Sequence, residues 1–160
     1  MLRWHYSHFD DLSLLDLHDL YQARVGVFVL EQKCPFQDVD GVDPSCWHLI
    51  GRAPSPLGEG RGEGPIHAYC RLVPPGLKFE EPSIGRVLTT EPGRGTGAGR
   101  ELMAEAIQRA ETLWPGQAIR IGAQQYLERF YGTFGFRTVS EPYDEDGIMH
   151  VVMLRPAAGR

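Results

Sequence analysis

Three glycines fall within six residues at Arg94-Gly95-Thr96-Gly97-Ala98-Gly99, between a short apolar run, Ile84 to Thr89, and a run with helical spacing, Ala98 to Thr112. Without a Cβ, glycine lets a chain adopt backbone conformations closed to other residues and come close to a ligand. A helix that starts at such a turn presents unpaired N–H groups and the positive end of its dipole. Strand, glycine turn and helix in that order predict an α/β domain with an anion site at the helix mouth.

The rest of the chain fits that frame. At 160 residues, 42% hydrophobic and 23% charged, it suits one domain that buries roughly two-thirds of the surface exposed when unfolded. A net charge of -5 and a pI near 5.6 argue against a nucleic-acid partner, whose phosphates need clustered Lys and Arg. Small or basic partners suit this balance better. No apolar run approaches the roughly 20 residues of a membrane span, and Met1-Leu2-Arg3-Trp4-His5 lacks the apolar core of a signal peptide. A cytoplasmic protein without a membrane partner is expected. Cys34, Cys46 and Cys70 form no C-x-x-C pair and are expected as reduced thiols, with a redox role for Cys34 the residual alternative.

Leu14, Leu17, Tyr21, Arg24 and Phe28 recur at three- and four-residue steps after a capping pattern, Ser13-x-x-Asp16. They predict an amphipathic helix interrupted near Gly26. Gln32 to Ser45 is rich in Pro, Gly and Asp, and two strands follow at 47–50 and 66–72. Between these strands, 53–65 reads as a flexible hairpin loop. Leu102, Met103, Ala106, Ile107, Ala110 and Leu113 draw one apolar helix face. A strand over 118–123, a short helix ending at Gly135, and closing strands at 136–139 and 148–154 complete a mixed α/β domain with one main sheet.

Several ligand motifs can be set aside. A P-loop needs Lys after its last glycine, where Arg100 and Glu101 stand. Gly93-x-Gly95-x-x-Ala98 formally satisfies the dinucleotide pattern, but Ala123, Gln124 and Gln125 occupy the positions where the ribose-binding acid belongs. Asp38, Asp40 and Asp43 lack the spacing of a calcium loop, and are expected to stabilise turns or attract a cationic acceptor. His48 and His150 are candidates to line a pocket, but six scattered histidines give no metal-binding spacing, so no metal is expected.

The alternative frame, Arg94-x-x-Gly97-x-Gly99, resembles the acyl-coenzyme A loop of the GNAT superfamily of N-acetyltransferases. So does Tyr131-Gly132-Thr133-Phe134-Gly135-Phe136, which follows after one more strand. A narrower resemblance, to the ElaA-type family, is carried by 24–41, Ser83-Ile84-Gly85-Arg86-Val87, Gly122-Ala123-Gln124 and Asp146-Gly147-Ile148-x-His150. Two features depart from that pattern on the acceptor side: the insert after Arg52, and Met149 where Pro is expected.

The resemblance implies a single mixed, mostly antiparallel sheet flanked by helices, and transfer of an acetyl group from acetyl-CoA to an amine of a small molecule or peptide. It implies that loop amides from Arg94 through Gly95, Thr96, Gly97, Ala98 and Gly99 to Arg100 hold the diphosphate, and that Val87, Leu88 and Thr89 pair with the pantetheine arm. Gln124 joins the cofactor side. Tyr131 is implied as general acid and Glu31 as the first choice of base, because Glu31 follows a helical segment that borders the acceptor pocket. Phe28, Gln32 and His150 are assigned to the acceptor. A non-catalytic acyl-CoA-binding module is the alternative reading. A sheet edge or the aromatic-rich N-terminus leaves a homodimer open.

Overall fold

The computed structural model describes residues 1–55 and 64–157. Most of the expected 53–65 loop, namely 56–63, lies outside the described residues. The chain opens with a strand, β1 (Arg3–His8), followed by α1 (Leu14–Arg24), which runs straight into a π-helical segment over Val25–Glu31. Then come β2 (Trp47–Arg52), β3 (Ile66–Val73), β4 (Ser83–Thr89), α2 (Ala98–Leu113) and β5 (Ile119–Gln124). The short helix α3 (Glu128–Gly132) precedes β6 (Arg137–Thr138), β7 (Tyr143–Glu145) and β8 (Ile148–Arg155).

The strands form two antiparallel sheets, β1-β2-β3-β4 and β5-β8-β6, with β7 also on β8. The expected single sheet is thus divided between β4 and β5, which still meet near their starts, where the Arg120 amide donates to the Pro82 carbonyl at 3.0 Å. This division is what makes room for a site.

Alternation along the strands sends side chains to two cores. Leu49, Cys70 and Leu72 pack with Leu102, Met103, Ala106 and Ala110 of α2, whereas Ile50 and Tyr69 pack with Leu20 and Phe28 on the opposite face. The apolar stripe read for α2 is therefore its buried face. For α1 the expected face largely holds, with Arg24 and Phe28 buried and Leu17 and Tyr21 packed against the same cluster, but Leu14 is 86% exposed and Leu20 joins the buried side. The cap holds, with Ser13 Oγ accepting from the Asp16 amide at 3.0 Å.

β1 replaces the exposed aromatic N-terminus expected from sequence. It pairs with all of β2, and Trp4 covers Gly51, where a Cβ would lie 2.6 Å from the ring. Beyond Arg24 the helix widens. The Gln32 amide donates to the Val27 carbonyl at 3.1 Å and the Cys34 amide to that of Val29 at 3.2 Å, five residues back in each case. This is the widened turn of a π-helix. No helix among the described residues is long and apolar enough to cross a membrane.

Candidate active site

One residue breaks the ladder between β3 and β4. Tyr69 faces Leu88 and Arg71 faces Gly85, so Cys70 stands opposite both Arg86 and Val87. Arg86 has φ 50°, a left-handed conformation that costs a non-glycine residue about 1–2 kcal/mol. Such a bulge leaves backbone groups outside the ladder and bends the strand. β4 from Ile84 to Thr89 then lines one side of a cleft of about 690 Å³, with Ile121, Gly122 and Gln124 of β5 on the other.

The glycine loop closes one end of the cleft. Gly95 has φ 75° and Gly97 φ 87°, conformations that a side chain would strain. Gly97 is the N-cap of α2, and no side chain caps the helix, so its first-turn amides are free for an anion. Gly99 lies within van der Waals reach of Thr89 and Phe130, at 3.7 and 3.9 Å from an added Cβ, which leaves little space for anything larger. The Arg94 guanidinium donates to the Thr89 carbonyl at 2.8 Å and to Glu31 Oε1 at 2.6 Å. Two loop residues point their chemistry elsewhere: Thr96 Oγ1 donates to the Gly93 carbonyl at 2.6 Å, and Arg100 stacks over Phe130 and Phe134. Neither is among the residues lining the cleft, whereas Phe28, Glu31, Gln32, Val87, Leu88, Thr89, Gln124, Tyr131, His150 and the rest of the loop from Arg94 to Gly99 are.

Tyr131 is 5% exposed and also lines the cleft, its ring edge-on to Phe130 and Phe136. Its hydroxyl makes no hydrogen bond to a described residue. Burial pushes its pKa above the ordinary 10, with smaller contributions from Cys70 and Tyr126, so the phenol is held protonated. Tyr126, five residues before Tyr131, is 75% exposed at the cleft rim.

The other end of the cleft is assembled from distant segments. Gln124 stands opposite His150 in the β5–β8 ladder, and its amide donates to Gln32 Oε1 at 3.2 Å. His150 Nδ1 faces the Ile148 carbonyl at 2.8 Å, Nε2 lies 3.5 Å from Glu145, and the ring stacks on Tyr143. Cys34 Sγ donates to the Asp146 carbonyl at 3.0 Å. Burial and the neighbouring acids raise its thiol pKa, which disfavours the thiolate that redox chemistry requires.

Asp38, Asp40 and Asp43 do not act as a free acidic lure. Asp38 and Asp43 are buried, and arginines Arg24, Arg71 and Arg86 pair with the three acids at 2.6 to 3.3 Å. His48 belongs to this network rather than to the cleft: Nδ1 lies 2.7 Å from the Tyr69 hydroxyl and Nε2 3.1 Å from the Asp43 carbonyl. Sequence reasoning missed Arg86, Phe36, Glu145 and Asp146 as cleft residues. Nothing in the composition of 143–147 said that this turn would be folded onto Cys34.

A GNAT acetyltransferase domain model matches residues 77–155. ElaA of Escherichia coli is 39% identical over 155 residues, covering 97% of each chain, and a UPF0039 protein of Synechocystis is 40% identical over 96% of this chain and 94% of its own. Among solved structures, an acyl-CoA N-acyltransferase from Pseudomonas aeruginosa matches with a TM-score of 0.87 at 40% identity, covering 97% of this chain and 99% of the other. The E. coli ElaA structure matches with a TM-score of 0.86 at 36% identity, with the same coverage. Identity at this level along nearly the whole length goes beyond a likeness of fold, and the chain belongs to the ElaA-type family of GNAT acetyltransferases.

Proposed function

We propose that this acyltransferase moves an acetyl group from acetyl-CoA to a primary amine on a small molecule or peptide, by direct attack within the cleft. The observation that carries the reading is the meeting of three features in one cleft: the uncapped start of α2, the bulged strand β4, and the buried phenol of Tyr131. The first two suit an acyl-CoA. A diphosphate is an anion matched to the amides of Gly97 to Gly99 and to Arg94, and the amide-rich pantetheine arm pairs as an added strand along Val87 to Thr89. When bound, the cofactor supplies a thioester, whose carbonyl is the electrophile.

The chain's own residues handle protons. An alkylammonium of pKa about 10.4 is neutral in only about a thousandth of molecules near pH 7.4, and only the neutral amine is a nucleophile. Glu31, at the cleft edge, takes up that proton directly or through water. Tyr131 holds its proton because burial disfavours the phenolate, and delivers it to the departing sulfur. Phe28, Gln32 and His150 shape the acceptor end. The reading carries with it a cytoplasmic protein, the compartment that holds free acyl-CoA.

The test is thiol release from acetyl-CoA against a panel of amines, amino acids and peptides. Release that depends on a particular amine is the expected result. Tight acetyl-CoA binding with no release across the panel would leave a non-catalytic binding module in its place.

A further inference from the structure

The acidic run at 38–43 takes no part in the chemistry above, yet one of its members is bonded to both sides of the cleft. Asp38 is 4% exposed. Its Oδ2 accepts from Arg24 Nε at 2.9 Å and its Oδ1 from Arg86 Nε at 2.8 Å, while its backbone carbonyl accepts from the Nη2 atoms of both arginines at 2.9 Å. The two guanidinium groups thus grip one residue in matching two-pronged fashion. Paired bonds of this kind fix direction as well as distance.

What each arginine belongs to gives the arrangement its meaning. Arg24 is the last residue of α1, immediately before the π-helical segment that carries Phe28 and Glu31. Arg86 is the left-handed residue of the β4 bulge, next to Val87, and its guanidinium lies over the Phe36 ring at 5.4 Å. A strained backbone persists only where its surroundings over-determine it, and the bonds from Arg86 to Asp38, with a further one to Asp40 at 3.3 Å, provide that determination.

We propose that Asp38 and Arg86 are positioning residues: through Arg24 on one side and the β4 bulge on the other, they set the spacing between the acceptor wall and the cofactor wall. The inference rests on the transfer reading above, and predicts that disturbing the node loosens both substrates together. A side chain that merely touched the cofactor would affect one.

The experiment compares Arg86→Ala, Arg86→Lys, Asp38→Asn and the Arg86→Ala/Asp38→Asn double variant, by KM for acetyl-CoA, KM for the amine, and acetyl-CoA affinity by calorimetry. Arg86→Ala is expected to raise both KM values about fivefold or more, and Arg86→Lys to give no rescue, because a single ammonium nitrogen lacks the planar fork whose Nε and Nη2 reach the carboxylate and the carbonyl of Asp38 in parallel. The double variant should be no worse than the worse single one, as for residues acting through one contact. A rise confined to the acetyl-CoA KM, full rescue by Lys, or additive losses would each overturn the proposal. Should Asp38→Asn fail to fold with Arg24 left buried beside it, the Arg86 pair decides alone. Should the wild type bind acetyl-CoA but acetylate no amine, the transfer reading fails, and the affinities of Arg86→Ala and Arg86→Lys still separate positioning from mere charge.

Discussion

The two walls of the cleft are made of different materials. The wall proposed to hold the cofactor is largely backbone: positive-φ glycines, the free amides of α2 and a strand with one residue too many. The wall proposed to meet the acceptor is side chains held by other side chains, with Arg24, Asp38, Asp43 and Arg71 buried. Backbone sites recognise what every acyl-CoA shares.

The contrast is sharpest under acid, where the side-chain network should fail first. Burial, aided by the nearby Arg24 and Arg71, pushes His48 down from its ordinary 6.5 to about 4. The unfolded chain takes up that proton near 6.5 and the folded chain only near 4. The contribution is therefore complete above pH 6.5 and is lost as pH falls to 4, a total of about 3 kcal/mol. Melting temperature measured across that window should drop in the wild type and flatten in His48→Gln; an unchanged slope in the variant would assign the loss to another group.

Next come the proton-handling groups. Tyr131→Phe should lower kcat about tenfold or more while acetyl-CoA affinity is kept, and Glu31→Gln, as the proposed base, should lower kcat by a similar factor. A kcat that survives either change removes that residue from the chemistry. A smaller effect tests the backbone wall. A Cβ on Gly97 meets nothing within 4 Å, so Gly97→Ala should cost only the left-handed conformation, about 1 kcal/mol, and weaken acetyl-CoA about fivefold by calorimetry without changing kcat at saturation. If kcat falls as well, the loop does more than bind.

The smallest effect probes the contact between the walls. Arg94 and Glu31 are each nearly half exposed, where an ion pair contributes about 0–1 kcal/mol. Glu31→Gln frees Arg94 for the diphosphate, so acetyl-CoA should bind about twofold more tightly at low salt, and the gain should fade as salt screens the charge. No gain would mean that the pair does not compete with cofactor.

The same division explains what could be read from the chain. Gly97, Gly99, Tyr131 and the apolar stripe of α2 lie within about forty residues, in elements whose periods are plain, and their backbone demands name their residue types. The node could not be read so. Arg24, Asp38 and Arg86 span 62 positions of sequence, and an Asp beside Gly and Pro looks like a turn whether or not an arginine will be folded onto it. β1 was missed because Arg3, His5 and Ser7 alternate with Trp4 and Tyr6 without the β-branched residues that usually mark a strand. The left-handed Arg86 has no signature of its own, because only its partners make that conformation tolerable.

The widened turn at Val25–Glu31 is, in effect, a one-residue insertion that the helix has absorbed. Each residue of a regular helix turns the chain by about 100°, so removing one residue from this segment would restore the α-helical path and swing Phe28 and Glu31 to a new bearing. Arg24 lies upstream of the segment and its partners Asp38 and Asp43 downstream, so these bonds would hold only if the stretch after Glu31 took up the missing residue. The glycine loop, far off in sequence, would not feel the change. On the proposed roles of Phe28 and Glu31, length at this one place would act as a dial for acceptor choice, turned by a codon gained or lost with no rebuilding of the glycine loop.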